Sequence, residues 1–95
     1  MASSSNVTIR VPAPLRAYCG GAAKLASSAA NVRAALAELE LRHPDLYRGV
    51  CDETGAVRRH VNLFVNTDHM RDRKGLDTEL VAGDELTILP AVSGG

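Results

Sequence analysis

Glu85-Leu86-Thr87-Ile88-Leu89-Pro90-Ala91-Val92-Ser93-Gly94-Gly95 closes the chain, and the way this stretch stops organises everything before it. Leu86 to Leu89 reads as a strand with Leu86 and Ile88 on one face and Thr87 and Leu89 on the other. So apolar a strand belongs at the centre of a sheet, next to the first strand. Pro90 has no N–H to give to a ladder, so the chain leaves the sheet there. A small, polar ending is often only a solvated terminus. After a buried strand it suits a second use. Glycine has no Cβ, so a Gly-Gly end can thread a narrow channel and approach another surface closely. Five extended residues reach about 17 Å, enough to enter a partner's active site. The α-carboxyl of Gly95 is therefore read as the working group, with Val92, Ser93 and Gly94 as the part that threads.

Working back from the tail, Ala82-Gly83-Asp84 is a turn, and Leu76 to Leu80 suits one helical turn. His60 to Asn66 alternates, placing Val61, Leu63 and Val65 on one face and Asn62 and Phe64 on the other. Asn66-Thr67-Asp68-His69 supplies turn residues, and Met70-Arg71 is expected to start a return strand. At the other end of the chain, Val7, Ile9 and Val11 mark a half-buried first strand that Pro12 and Pro14 stop. Leu15 to Cys19 reads as a helical turn closed by Gly20-Gly21, and Ala22 to Ser27 as a second strand around Leu25. Asn31 is a helix N-cap candidate. Val32, Ala35, Leu36 and Leu39 follow at offsets of three, four and seven and form a helix face. His43-Pro44 ends that helix, Leu41 is expected to pack on the loop that follows, and residues 45–56 read as an irregular connection.

One amphipathic helix must cover one face of a mixed sheet of four to five strands, an α+β roll. The expected organisation is a flexible start at residues 1–5, one domain over 6–91 and a flexible tail at 92–95. At 95 residues there is no room for a second core. With three aromatics and no Trp, the core has to be aliphatic.

Composition narrows the function. Lys+Arg and Asp+Glu each count 11, which argues against a general nucleic-acid surface. Arg58-Arg59 and the set Arg71, Arg73 and Lys74 read as solvated faces or a patch for an acidic partner. No stretch resembles a signal peptide or a membrane span, so a cytoplasmic protein is expected. In a reducing cytoplasm Cys19 and Cys51 read as small buried hydrophobes rather than a disulfide. His43, His60, His69 and the two cysteines show no metal-ligand spacing, so no metal is expected. No nucleophile elbow and no phosphate-binding glycine loop appears, so neither hydrolysis nor ATP binding by the chain itself is expected.

Several features together resemble the ubiquitin-like sulfur carriers of the ThiS/MoaD family. These are the order of elements, the Val-Asn-Leu-Phe-Val-Asn strand at 61–66, the Ala-Gly-Asp-Glu-Leu turn at 82–86, and the ending Thr-Ile-Leu-Pro-Ala-Val-Ser-Gly-Gly at 87–95. The resemblance runs from Asn6 to Gly95. It is nearest to the branch that serves cysteine synthesis, which Leu15-Arg16 followed by Gly20-Gly21 also fits. Ser93 stands where Ala or Thr is common, and it is small enough not to block the tail.

The resemblance implies a β-grasp fold and a protein that is a substrate of enzymes rather than an enzyme. It implies that an E1-like partner uses Mg-ATP to adenylate the Gly95 carboxylate, and that a sulfur donor converts the adenylate to a thiocarboxylate. No cofactor would be bound, and the functional group would be that covalent thiocarboxylate. A sulfur-accepting synthase would follow, a pyridoxal-phosphate cysteine synthase in the cysteine route, with a metalloprotease releasing the product. Molybdopterin and thiamin routes use the same fold and tail. A ubiquitin-like modifier joined to target lysines shares the activation chemistry, and a plain interaction module with an incidental tail is the third class. Alternation, together with the resemblance, points to Phe64 and Leu89 as an exposed apolar docking patch beside the tail. If the register were off by one, Phe64 would lie in the core instead.

Overall fold

The structure is a computed structural model, and it describes residues 7–90. Five strands form one sheet: β1 (Val7–Arg10), β2 (Lys24–Ser27), β3 (Val61–Val65), β4 (Asp68–His69) and β5 (Glu85–Pro90), in the order β2-β1-β5-β3-β4. The last strand is central and runs parallel to the first, with Ile9 opposite Leu86. β5 is antiparallel to β3 on its other side. The expected mixed sheet is present, and Leu86 and Ile88 are fully buried on its inner face beside Val7, Ile9, Val61, Leu63 and Val65.

α1 (Val32–Arg42) crosses that inner face. The Asn31 side chain accepts from the Ala34 N–H at 2.8 Å and so satisfies one of the donors that open the helix. Val32, Ala35, Leu36 and Leu39 are the buried face, as their spacing predicts. Two backbone bonds, Val32 N–H to Thr78 C=O at 3.0 Å and Leu80 N–H to Ala30 C=O at 2.9 Å, tie the helix entrance to the segment that leads into β5.

Five expectations need correction. Pro44 ends α1 but also starts a second helix, α2 (Pro44–Val50), where an irregular connection was expected. Proline's fixed φ and missing N–H suit the first position of a helix, and Leu46 and Val50, one turn apart, bury themselves completely. Leu41 is 85% exposed rather than packed on the following segment. The return strand is only Asp68–His69, and Met70 instead opens a 3-10 turn, Met70–Asp72. The helical turn expected at Leu76 to Leu80 lies earlier, at Gly75–Asp77. The segment read as a turn near Cys19 is a longer 3-10 stretch, Ala13–Cys19, closed by Gly20 at φ 72°. Residues 1–6 and 91–95, including the expected flexible ends, lie outside the described residues.

The ends of β3 and β5 are locked together by one side chain. Asn66 adopts φ 57°, a left-handed conformation that asparagine tolerates better than most residues. Its Nδ2 donates to Asp84 Oδ1 at 3.0 Å, and its Oδ1 accepts from the Glu85 N–H at 3.0 Å. The other Asp84 oxygen accepts from the Val81 N–H at 2.9 Å, closing the turn that Gly83 permits at φ 92°. The Val81 N–H and then the Asn66 amide hold the Asp84 carboxyl below its ordinary range. Asn66→Ala removes two side-chain bonds and leaves Ala in a left-handed conformation. It should cost about 1–2 kcal/mol, measured as a lower midpoint in urea with an unchanged slope.

Candidate functional site

The tail begins where β5 ends. Pro90 is the last described residue and lies opposite Val61, the first residue of β3. Arg59 and His60, both exposed, immediately precede Val61 and so stand at the tail root. Arg58 is used by the fold, because its Nε donates to the Arg48 C=O at 2.8 Å. Val92, Ser93, Gly94 and Gly95 lie outside the described residues.

The outer sheet face next to that root carries the two docking candidates. Leu89 is 44% exposed. Phe64 is half-buried, on the same face, since its neighbours Leu63 and Val65 fill the core. Leu89 pairs with Asn62 and Thr87 pairs with Phe64, so Leu89 and Phe64 are diagonal neighbours across two antiparallel strands. That separation is within reach of an aromatic ring. The register is the one alternation predicts, and the alternative with Phe64 in the core does not occur.

Sequence reasoning missed His69 as part of this face. It sits on β4 opposite Phe64, with its ring edge-on to the phenyl ring at a centroid distance of 5.1 Å. Its Nδ1 accepts from the Arg71 N–H at 3.0 Å. That bond needs a free lone pair, so the proton is assigned to Nε2, which donates to Asn62 Oδ1 at 3.0 Å. His69 thus buttresses Phe64 and fixes Asn62, the residue beside Leu89. The signal in the sequence was the two-residue Asn66-Thr67 reversal, which returns the chain so that Asp68 and His69 must pair with Val65 and Phe64.

The remaining chemical candidates are placed elsewhere. Arg71, Arg73 and Lys74 are exposed around the 3-10 turns after β4. His43 is the capping position before α2, and His60 is exposed at the tail root. Among the described residues, no group of three or more His, Cys, Asp or Glu side chains is placed to hold a metal. No described helix is long and apolar enough to cross a membrane.

Both cysteines are free and buried. The Cys19 thiol donates towards the carbonyls of Arg16 and Ala22, helping to close the turn before β2. The Cys51 thiol is 1% exposed, and burial first, then the Asp52 carboxylate, push it up to about 11. It is therefore a protonated thiol at neutral pH, not a nucleophile. Because the folded thiol ionises later than the unfolded one, its contribution to stability is intact below the ordinary thiol range. That contribution is lost as pH rises towards 11. Iodoacetamide should label Cys51 in the folded protein at least ten times more slowly than in urea, at rates read by peptide mass. Cys51→Ala should remove part of the alkaline loss of stability.

Comparisons with known proteins bear on this geometry. Residues 9–95 match the ThiS family. The chain is 36% identical over 92 residues to a protein of Mycobacterium tuberculosis named sulfur carrier protein CysO, covering 95% of this chain and 99% of that one. The carrier in the crystal structure of the Amycolatopsis orientalis BexX/CysO complex matches with a TM-score of 0.84 at 36% identity, over 94% of this chain and 99% of that one. The solution structure of small archaeal modifier protein 1 from Methanosarcina acetivorans matches with a TM-score of 0.83 at 29% identity, over 94% of this chain and 95% of that one.

Proposed function

The chain belongs to the ThiS family of ubiquitin-like β-grasp sulfur carriers, and on that premise we propose that Gly95 carries sulfur as a C-terminal thiocarboxylate. The observation that carries the reading is that the family match runs through Gly95 itself. A carboxylate is a poor electrophile, so it must first be activated. An E1-like partner supplies Mg-ATP; a Gly95 carboxylate oxygen attacks the α-phosphorus and pyrophosphate leaves. A sulfur donor then attacks the acyl-adenylate carbon and expels AMP, leaving –COSH in place of –COOH. This chain contributes the deliverable tail and the docking face, and binds no cofactor of its own. Val92, Ser93 and Gly94 thread the carboxylate into the partner, while Leu89 and Phe64, buttressed by His69, dock beside the tail root.

The likeness to proteins named CysO favours cysteine synthesis as the destination. There the thiocarboxylate sulfur would attack an activated serine such as O-phosphoserine on a pyridoxal-phosphate synthase. An acyl shift from sulfur to nitrogen would leave cysteine joined to Gly95 by an amide, and a metalloprotease would release it. Molybdopterin or thiamin synthesis would use the same sulfur. The likeness to a small archaeal modifier supports a second reading, in which the activated Gly95 is joined to lysines of target proteins.

Intact mass decides among these. Protein incubated with an activating partner, ATP and sulfide should gain the mass of one sulfur less one oxygen. A species heavier by one cysteine residue, formed on adding the synthase and O-phosphoserine, supports the cysteine route. Ladders of heavier conjugates support the modifier, and an unchanged mass overturns both.

A further inference from the structure

A hollow of about 440 Å³ opens where the last turn of α1, α2 and the loop before β3 meet. Buried Cys51 closes its floor, and Pro44 and the half-buried Tyr47 form an apolar wall. The rest of its lining is charged, with both signs. Two of those charges are already spent. Arg48 pairs with Asp45 at 3.4 Å. Asp52 Oδ1 accepts from the Thr54 hydroxyl at 2.6 Å and from the Thr54 N–H at 2.8 Å, which ties its own loop. Three are not spent: Glu40, Glu53 and Arg58 belong to no ion pair among the described residues.

The unspent charges are of opposite sign, and the fold keeps them from pairing. Glu40 is set by the helix. Arg58 is anchored twice: its backbone N–H donates to the Val50 C=O at 2.9 Å, and its Nε donates to the Arg48 C=O at 2.8 Å. Among the described residues its Nη groups make no hydrogen bond. Burial first, then Cys51 and Glu40, push the Tyr47 hydroxyl up, so the Glu40 carboxylate acts at the wall that Tyr47 forms. An acid and a base that share a hollow without touching are satisfied together by a molecule carrying both charges. A simple cation would leave the guanidinium unanswered, and a simple anion would meet two carboxylates.

We propose that this hollow binds a free α-amino acid as its zwitterion. The ammonium group meets the Glu40 carboxylate, with Glu53 as a second acceptor, and the carboxylate takes the Arg58 Nη groups. An apolar side chain packs on Pro44 and the ring of Tyr47. The hollow is wide enough for bridging water between these groups and a small amino acid. The Arg58 C=O accepts from the Val61 N–H at 3.0 Å, so the site adjoins the start of β3, opposite the end of β5. It uses neither the tail nor Phe64 and Leu89, and it stands independently of the sulfur-carrier reading.

The test is a titration of the full-length, isotopically labelled protein with L-leucine, followed by amide NMR at mildly acidic pH, where α-amino groups are protonated. Saturable shifts should concentrate at Glu40, Tyr47, Arg48 and Arg58, with half-saturation on the order of 1 mM for so open a site. Two analogues each lack one charge. L-leucinamide keeps the ammonium and N-acetyl-L-leucine keeps the carboxylate, and each should bind about tenfold or more weakly than L-leucine. Glu40→Gln, at an exposed helix position, should weaken L-leucine about fivefold or more and leave N-acetyl-L-leucine no weaker. Arg58→Gln should weaken L-leucine and leave L-leucinamide no weaker. Should Arg58→Gln misfold, the two analogues and Glu40→Gln decide. The proposal is overturned by an absence of saturation up to about 20 mM, by shifts centred on Phe64 and Leu89, by either analogue binding as tightly as L-leucine, or by undiminished affinity in Glu40→Gln.

Discussion

Deletion of Gly95 abolishes thiocarboxylate formation while leaving the domain as stable as before: that is the expected result with the largest effect. The two halves of the expectation have separate causes. The core of the described residues runs from Val7 to Ile88, so the domain is expected to keep its stability when Gly95 is deleted. The chemistry depends on where the new carboxylate lies. Shortening the tail by one extended residue withdraws it by about 3.3–3.6 Å. In-line attack needs reacting atoms roughly 3–3.5 Å apart, so a withdrawal of that size places the carboxylate out of reach. Intact mass after incubation with the activating partner, ATP and sulfide, together with a thermal melt, checks both halves. Thiocarboxylate on the shortened chain would remove Gly95 as the activated residue.

Leu89→Asp carries the second largest expectation. Leu89 is exposed on the outer face, and its inner-face neighbours Ile88 and Leu86 fill the core, so the substitution spares the packing. A buried apolar anchor at the centre of an interface is worth about 2–4 kcal/mol on truncation, and burying an unpaired carboxylate there costs more. The expected consequence is a loss of roughly 30- to 700-fold or more in kcat/KM for activation, with a melting temperature shifted by only a few degrees. Leu41→Asp is the control. Leu41 is more exposed still but lies on α1, across the sheet from the tail face, and its replacement should leave activation unchanged. Equal rates for Leu89→Asp and the parent protein would remove the docking patch.

The sequence made the central architecture legible because its strongest patterns are also its deepest burials. Val61, Leu63 and Val65, and Leu86 and Ile88, alternate without interruption and are all essentially inaccessible. Asn31 and the α1 face were equally plain. Most of the misreadings share one cause, short elements whose local chemistry has two meanings. His43-Pro44 stops one helix and opens another, and only the burial of Leu46 and Val50 selects the second meaning. Asp68-His69 looks like the end of a turn and is also the whole of β4. Its placement follows from the positive φ at Asn66, which backbone geometry records and composition does not. His69 was hidden for the same reason. Its role comes from lying across from Phe64, a relation set by strand pairing rather than by sequence spacing. Leu41 shows the converse: an apolar residue off the helix face was given a packing partner that the fold does not provide.

The parallel pairing of β1 with β5 has a consequence for biosynthesis. Nearly the whole chain separates Ile9 from its partner Leu86, and β5 alone joins the β2-β1 hairpin to the β3-β4 hairpin. Until β5 is available the two hairpins have no common sheet, and closing so distant a contact is intrinsically slow. Because β5 is the last of the five strands to be made, the sheet cannot close while β5 is still being synthesised. Because the tail continues directly from β5, a chain that has not finished folding has no rim from which to present it. On the proposed sulfur-carrier reading, an activating partner that docks on Leu89 and Phe64 would therefore engage only a chain whose sheet has closed.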